Sequence, residues 1–348
     1  MTSLSLLLKV ANTALAGAAL LSMSAAALAA TPAAVDNAAA IQSVYRHWAV
    51  PQAAELVAAS ARLTPALQAV CEVPPNQADA ALRQARAQWL ASVQSWERLS
   101  AVAISPLIER RSQRQIDFSP TRPRMIEKAV QSAPASAADM ELIGTPAKGF
   151  PALEWLLWVK PIQPASPECR YAVQLAAEIG REAQALDAAY RQAADRVPDA
   201  AAATAAMSEL INQWVGGIER LRWPNLEMPV RVAITSKRDV VDYPRRDSGA
   251  GAAVWAAEWS ALRTLAASST DGLLTLESIL RGRGAAKLAD ALAQAVRQTD
   301  RAMQNLTGSD RERVLAATGE LAALKRLVET DVAPALGVSI GFSDADGD

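Results

Sequence analysis

The chain has 348 residues, with 35 Lys and Arg against 36 Asp and Glu, so its formal net charge is −1. That balance excludes the basic footprint of a nucleic-acid-binding protein. Abundant alanine, few aromatic residues and almost no β-branched runs favour helix over strand, and the single histidine excludes a zinc site built on several imidazoles.

In chain order, residues 1–30 read as a secretory signal peptide. Lys9 supplies the positive charge, an Ala/Leu-rich run follows, and Ala27-Leu28-Ala29 makes a small-x-small cleavage site. Asn12, Gly17 and several serines break that run, which argues against a membrane anchor. No later stretch has the apolar length of a transmembrane helix. An exported protein of the periplasm or cell envelope follows.

A first helix is predicted from about Asp36 to Cys71, with Ile41, Val44, Trp48, Leu56 and Leu63 on its stripe and a kink or break at Pro51. Asn76 is the predicted N-cap of the next helix and Asp79 lies in its first turn. That helix carries Leu82, Ala85, Trp89, Val93, Trp96 and Ser100 at spacings of three and four, a core stripe. Glu97 stands at the margin of the stripe. It reads first as an ordinary solvated glutamate, and second as a carboxylate that could face another acid across a cleft. His47, beside Trp48, reads as a packed or surface histidine.

Residues 105–123 are rich in Arg and Pro and read as an irregular loop, with Asp117 held between Arg114 and Arg122. Such loops often line clefts. A short helix, 124–132, and a polar linker lead to Gly144–Trp158, G-T-P-A-K-G-F-P-A-L-E-W-L-L-W. Here Glu154 is set in a helical run that Phe150, Leu153, Leu156, Leu157 and Trp158 would bury. A buried carboxylate is costly without a partner, so Glu154 needs one or must face a cleft. Pro151 falls in the first turn, where the missing N–H costs nothing.

Cys71 and Cys169 are the two cysteines. In an exported chain they are expected to form a disulfide that staples two helix edges. Ser166 caps a helix that starts at Pro167 and runs to about Arg196. Pro198 precedes another helix, 199–222, and marks a lobe boundary. Residues 223–251 are the least regular part of the mature chain, with Pro224, Pro229, Pro244 and the charged run Asp242–Asp247. A loop of that length is usually functional or disordered, so it is a candidate second wall of a cleft. Helices 252–267, 272–280 and 285–306 follow, and a Ser309/Glu312 capping box opens a last helix that Pro334 ends. The tail, 337–348, lacks the helices and terminal Glu of a calcium loop and reads as extended, packed through Val338, Ile340 and Phe342. The fold class is therefore all-α, with two helical-bundle lobes, 36–195 and 196–348, acting together as one domain.

Three stretches carry a family resemblance: G-F-P-A-L-E-W-L-L from Gly149, R-R-S-Q-R-Q-I-D-F-S-P-T-R-P from Arg110 to Pro123, and A-L-G-V-S-I-G-F-S-D-A-D-G-D from Ala335. The first resembles the G-x-H-x-x-E signature of the imelysin-like family. Gly149 and Glu154 match it, and Pro151 stands where the family has His. The resemblance implies an envelope protein linked to the uptake or binding of iron or another divalent or trivalent metal. The signature would lie near the interface of the lobes, and a metal ion, a small ligand and an envelope transport protein are the implied partners. It also offers a metallopeptidase, after which the family is named, or a scaffold whose metal site has decayed. The missing His weighs against the enzyme. The candidate site comprises Glu154, Gly149, Pro151, Glu97, Asp117 and Arg114, with Glu154 as the candidate metal ligand.

Overall fold

Where a chain offers no strands, apolar stripes three and four residues apart are buried by packing helix on helix, and this arrangement is seen throughout residues 36–341, which the computed structural model describes. Every regular element among them is helical. The predicted signal peptide, Phe342 and the acidic end of the tail lie outside the described residues.

The first long helix, α1, runs as Asn37–Val44, a π-helical turn Tyr45–Ala49, and Val50–Glu72. Pro51 does not break it: the wide turn immediately before absorbs the missing donor, and Pro51 sits in the first turn of the segment that follows. Helix α2 is Ala78–Ser100. Asn76 is not its cap. It lies in a 3-10 turn, Pro75–Gln77, which leaves Gln77 at the cap position. The buried face of α2 is the predicted stripe, widened in its last turns to take in Ser95, Glu97 and Leu99. One side of α2 packs on α1 and the other on a helix from the second half of the chain, α6 below.

The stretch after α2 is more regular than expected. Two short helices, Ser105–Arg110 and Ser112–Ile116, meet at Arg111, whose φ of 54° turns the chain. Pro123–Gln131 is helical as predicted, and Ser136 with Asp139 closes a capping box on Ala137–Glu141. Helix α3 is Gly149–Glu154, continued by a π-helical turn Trp155–Val159. Helix α4, Pro167–Asp195, starts at the predicted Ser166 cap, whose hydroxyl accepts the Cys169 N–H. It lies along α1, and the Cys71–Cys169 disulfide ties the C-terminal end of one to the N-terminal end of the other, with Cα atoms 5.6 Å apart.

Helix α5 corrects the sequence reading most. Asp199 caps Ala200–Arg220, but the helix then continues as a π-helical segment Leu221–Glu227 and as Met228–Thr235. Pro224 is carried inside because a π turn re-routes the bonds its missing N–H would otherwise break. The irregular segment is thus shortened to residues 236–250. Helices α6 (Gly251–Ala266), α7 (Ala286–Met303) and α8 complete the chain, with Leu276–Gly282 as a short helix between α6 and α7. α8 is Arg311–Leu327, a π-helical turn Val328–Val332 and Ala333–Ala335, so it stops one residue past Pro334. Its cap is Asp310, which accepts the Arg313 N–H, and not Ser309. Val338 is buried and Ile340 packs on the core.

Candidate functional site

Gly149 decides where α3 begins. Its φ is +71°, and a Cβ there would lie 2.1 Å from the carbonyl oxygen of Ile116, so only glycine lets the two backbones approach. This contact sets the first turn of α3 beside Asp117. The Trp89 indole N–H donates to the Phe150 carbonyl at 3.2 Å and anchors the same turn on α2. From there the helix carries Pro151 and Glu154, both buried, to the wall of a cleft of about 720 Å³.

Opposite stands the loop that joins α5 to α6. It supplies Tyr243, Arg245 and Asp247 to the cleft, and its Ser248 clamps Glu154: the backbone N–H and the hydroxyl both donate to Glu154 Oε1, at 3.0 and 2.6 Å. Arg245 is the centre of the arrangement. One guanidinium nitrogen, Nη2, meets Asp117 Oδ1 at 2.5 Å and Glu97 Oε1 at 3.2 Å, while Nη1 lies 3.8 Å from Glu154 Oε2. The guanidinium also stands over the Trp89 ring, 5.8 Å from its centroid. The four side chains are each only 8–11% exposed. Asp117 takes a further bond, 2.8 Å, from the Trp96 indole N–H. Beyond them, Glu258 of α6 accepts both hydrogen bonds of the Asn225 amide and lies 3.6 Å from Arg220 Nε, whose Nη2 donates to the Ser100 carbonyl at the end of α2.

The electrostatics follow from burial. Loss of solvent pushes the Glu97 carboxyl up to about 8, with Asp117 and Glu258 adding to the rise and Arg245 and Arg220 opposing it. Burial also raises Glu154, against the Arg245 charge and the Ser248 hydrogen bonds, and raises Glu258 against Arg220 and Asn225. Burial disfavours the Arg245 charge, yet Asp117, Glu97 and Glu154 more than offset this and hold it above the ordinary arginine value.

Of the residues singled out from sequence, Glu154, Glu97, Asp117 and Pro151 line this cleft, and Gly149 positions it. Glu97 is buried, not solvated. Arg114 is exposed and lies outside the cleft lining. The cation that meets Asp117 is Arg245, which local sequence did not single out, and Ser248, Arg220 and Glu258 were missed with it. The one available signal was the charged run around Arg245. His47 is exposed on α1 against Gly272, away from these carboxylates.

The donor set does not make a zinc or iron shell. The carboxylates converge, but on a guanidinium, and the oxygens of Asp117 and Glu258 are already committed to Arg245, Trp96, Asn225 and Arg220. Among the described residues no group of three or more His, Cys, Asp and Glu side chains is placed to hold a metal ion.

The family model described as Imelysin matches residues 49–336. A crystal structure of an imelysin-like protein from Psychrobacter arcticum 273-4 superposes with a TM-score of 0.74 at 20% identity, covering 88% of this chain and 97% of that one. An iron-regulated protein A precursor from Parabacteroides distasonis ATCC 8503 superposes with a TM-score of 0.66 at 14% identity, covering 86% and 95%. No curated protein matches in sequence. At these identities the two structures speak for the fold.

Proposed function

The chain belongs to the imelysin family, and from that premise we propose that it is an exported, non-peptidase protein of the cell envelope that serves iron handling by binding a ligand in the cleft at Glu154. The observation that carries this reading is Arg245, whose guanidinium fills the point on which Glu97, Asp117 and Glu154 converge. A metallopeptidase needs protein ligands, an open coordination position and a general base around one ion. A buried, multiply paired arginine in that place supports a site built to present polarity to a larger partner. The link to iron leans on the family and on the Parabacteroides protein's description as iron-regulated. In this reading the lobes 36–195 and 196–348 supply opposite walls: Glu97, Asp117 and Glu154 from the first, and Arg220, Arg245, Ser248 and Glu258 from the second. Delivery of iron to a transport protein of the envelope belongs to the same reading.

Deletion of the gene, with cellular iron measured during growth in iron-poor medium, tests it. Iron accumulation should fall, and should be restored by the wild-type chain but not by Glu154→Ala. Unchanged iron, or purified protein that cleaves unfolded substrates in a chelator-sensitive manner that Glu154→Ala abolishes, would overturn the reading.

A further inference from the structure

On the reading of the cleft as a binding site, its open groups decide the chemistry of what it takes. Among the described residues six carboxylates line it, Glu97, Asp117, Glu154, Asp242, Asp247 and Glu258, against three guanidinium groups, those of Arg220, Arg245 and Arg246. The lining therefore keeps a negative excess after every arginine is counted. That excess is not spread evenly. Asp117 and Glu258 use both of their oxygens within the protein. Glu154 Oε1 is taken by Ser248 and Glu97 Oε1 by Arg245. Glu97 Oε2 and Glu154 Oε2 accept no hydrogen bond from any described residue, although both side chains are about nine-tenths buried.

Two oxygens do not satisfy a metal. Zinc asks for four ligands, and hard cations ask for six or more oxygens. Two acceptors do suit a protonated primary amine, which has three N–H donors and gains most from anionic acceptors in a poorly solvated site. The size of the cleft points the same way, because about 720 Å³ is the range of an organic ligand. On the α5 side Pro224, Met228 and Pro229 line it beside Arg220 and Asn225, and Met228 and Pro229 continue into a smaller groove with Val232 and Val240, both of them exposed, which Arg238 and Asp242 also line.

We propose that the cleft takes a ligand with a protonated primary amine on an apolar chain, the ammonium held by Glu97 Oε2 and Glu154 Oε2 and the chain lying over Met228, Pro229 and Val232. Attraction for the ammonium comes from the excess of carboxylates over guanidinium groups in the lining, and selection against bare ions comes from the guanidinium already paired with Glu97 and Glu154. The raised Glu97 carboxyl gives the site a proton to release when the cation arrives, so affinity rises with pH across neutrality while the amine itself stays charged.

Calorimetric titration of the purified full chain with n-hexylammonium, n-hexanol and n-hexanoate at pH 7 tests this. The ammonium should bind at least tenfold more tightly than either of the others, and methylammonium should bind more weakly than hexylammonium. Glu154→Gln should cost at least tenfold in hexylammonium affinity, and Val232→Ser should weaken hexylammonium while leaving methylammonium unchanged. Equal binding of the alcohol, preference for the carboxylate, or no binding of the ammonium would each overturn the proposal. The comparison of the three probes needs only wild-type protein, so it stands whether or not the variants fold. Loss of iron accumulation on deletion without ammonium binding would sink this inference alone. Ammonium binding without any change in iron would sink the functional reading alone.

Discussion

Replacing Arg245 by Met removes the guanidinium that contacts Glu97, Asp117 and Glu154 together and leaves their charges in a site where each side chain is about 90% buried. Breaking a buried ionic group from one side typically costs 3–5 kcal/mol, because the remaining charges keep their desolvation penalty. Here the carboxylates have an escape, since they can take up protons. Glu97 and Glu154 already titrate above the ordinary glutamate value, and loss of the arginine raises them further. A carboxyl whose folded pKa lies above its unfolded one binds more protons in the native state, so its penalty is absent below about pH 4, grows through the window up to the folded pKa and is complete above it. For Glu97 that window already reaches about 8 in the wild type. Arg245→Met should therefore lower stability by about 3–5 kcal/mol at pH 8 and by little at pH 4.5. Urea denaturation followed by tryptophan fluorescence at both pH values reads it directly. A loss below about 1 kcal/mol at pH 8, or one of the same size at both pH values, would refute the reasoning, since an exposed pair behaves that way.

Three further outcomes follow from the same geometry. Gly149→Ala must move the Ile116 backbone and hold a side chain at positive φ, so thermal denaturation should show a loss of at least about 2 kcal/mol, and a loss under 0.5 would mean the backbones are not in tight contact. Reducing the Cys71–Cys169 bond reopens a span of 98 residues, and in the chain-entropy model this costs about 4–5 kcal/mol; unreduced, denatured protein whose thiols both alkylate would show that the bond is not formed. Pro151→His restores an imidazole one turn before Glu154 on the cleft wall, and zinc affinity measured by calorimetry should rise about tenfold or more; unchanged affinity would mean Glu154 cannot reach a metal at that position.

What could be read from the sequence, and what could not, divides by range. Helix starts fixed by one or two neighbours, such as Ser166 before Pro167, are local and were readable. Caps are less legible: at Ser309 a shift of one residue gives the cap to Asp310, whose carboxylate reaches the Arg313 N–H, and at Asn76 a 3-10 turn takes the residue out of the cap position and leaves Gln77 there without a side-chain cap bond. Pro224 looks like a helix end, and only packing of a π-helical segment against α6 and α8 keeps α5 continuous. Glu154 announced itself through the apolar residues around it. Glu97 did not, since the face it occupies is buried by α6, a helix more than 150 residues further on. Asp117 was legible as a residue in need of a cation, but its arginine lies 128 residues away, and that of Glu97 lies 148 away. Nearby Arg114 and Arg122 were the natural guesses, and neither bonds Asp117. Long-range pairing of this kind leaves no periodicity or spacing to follow.

Glu154 and its neighbours are proposed to form a ligand site closed around a protein cation, not a resident metal centre. Metal content of the protein purified without chelators, counted by mass spectrometry beside Glu154→Gln, tests it most directly. Well under one equivalent of zinc or iron is expected in both proteins, with no difference between them. One equivalent of either metal in the wild type, lost in Glu154→Gln, would contradict it.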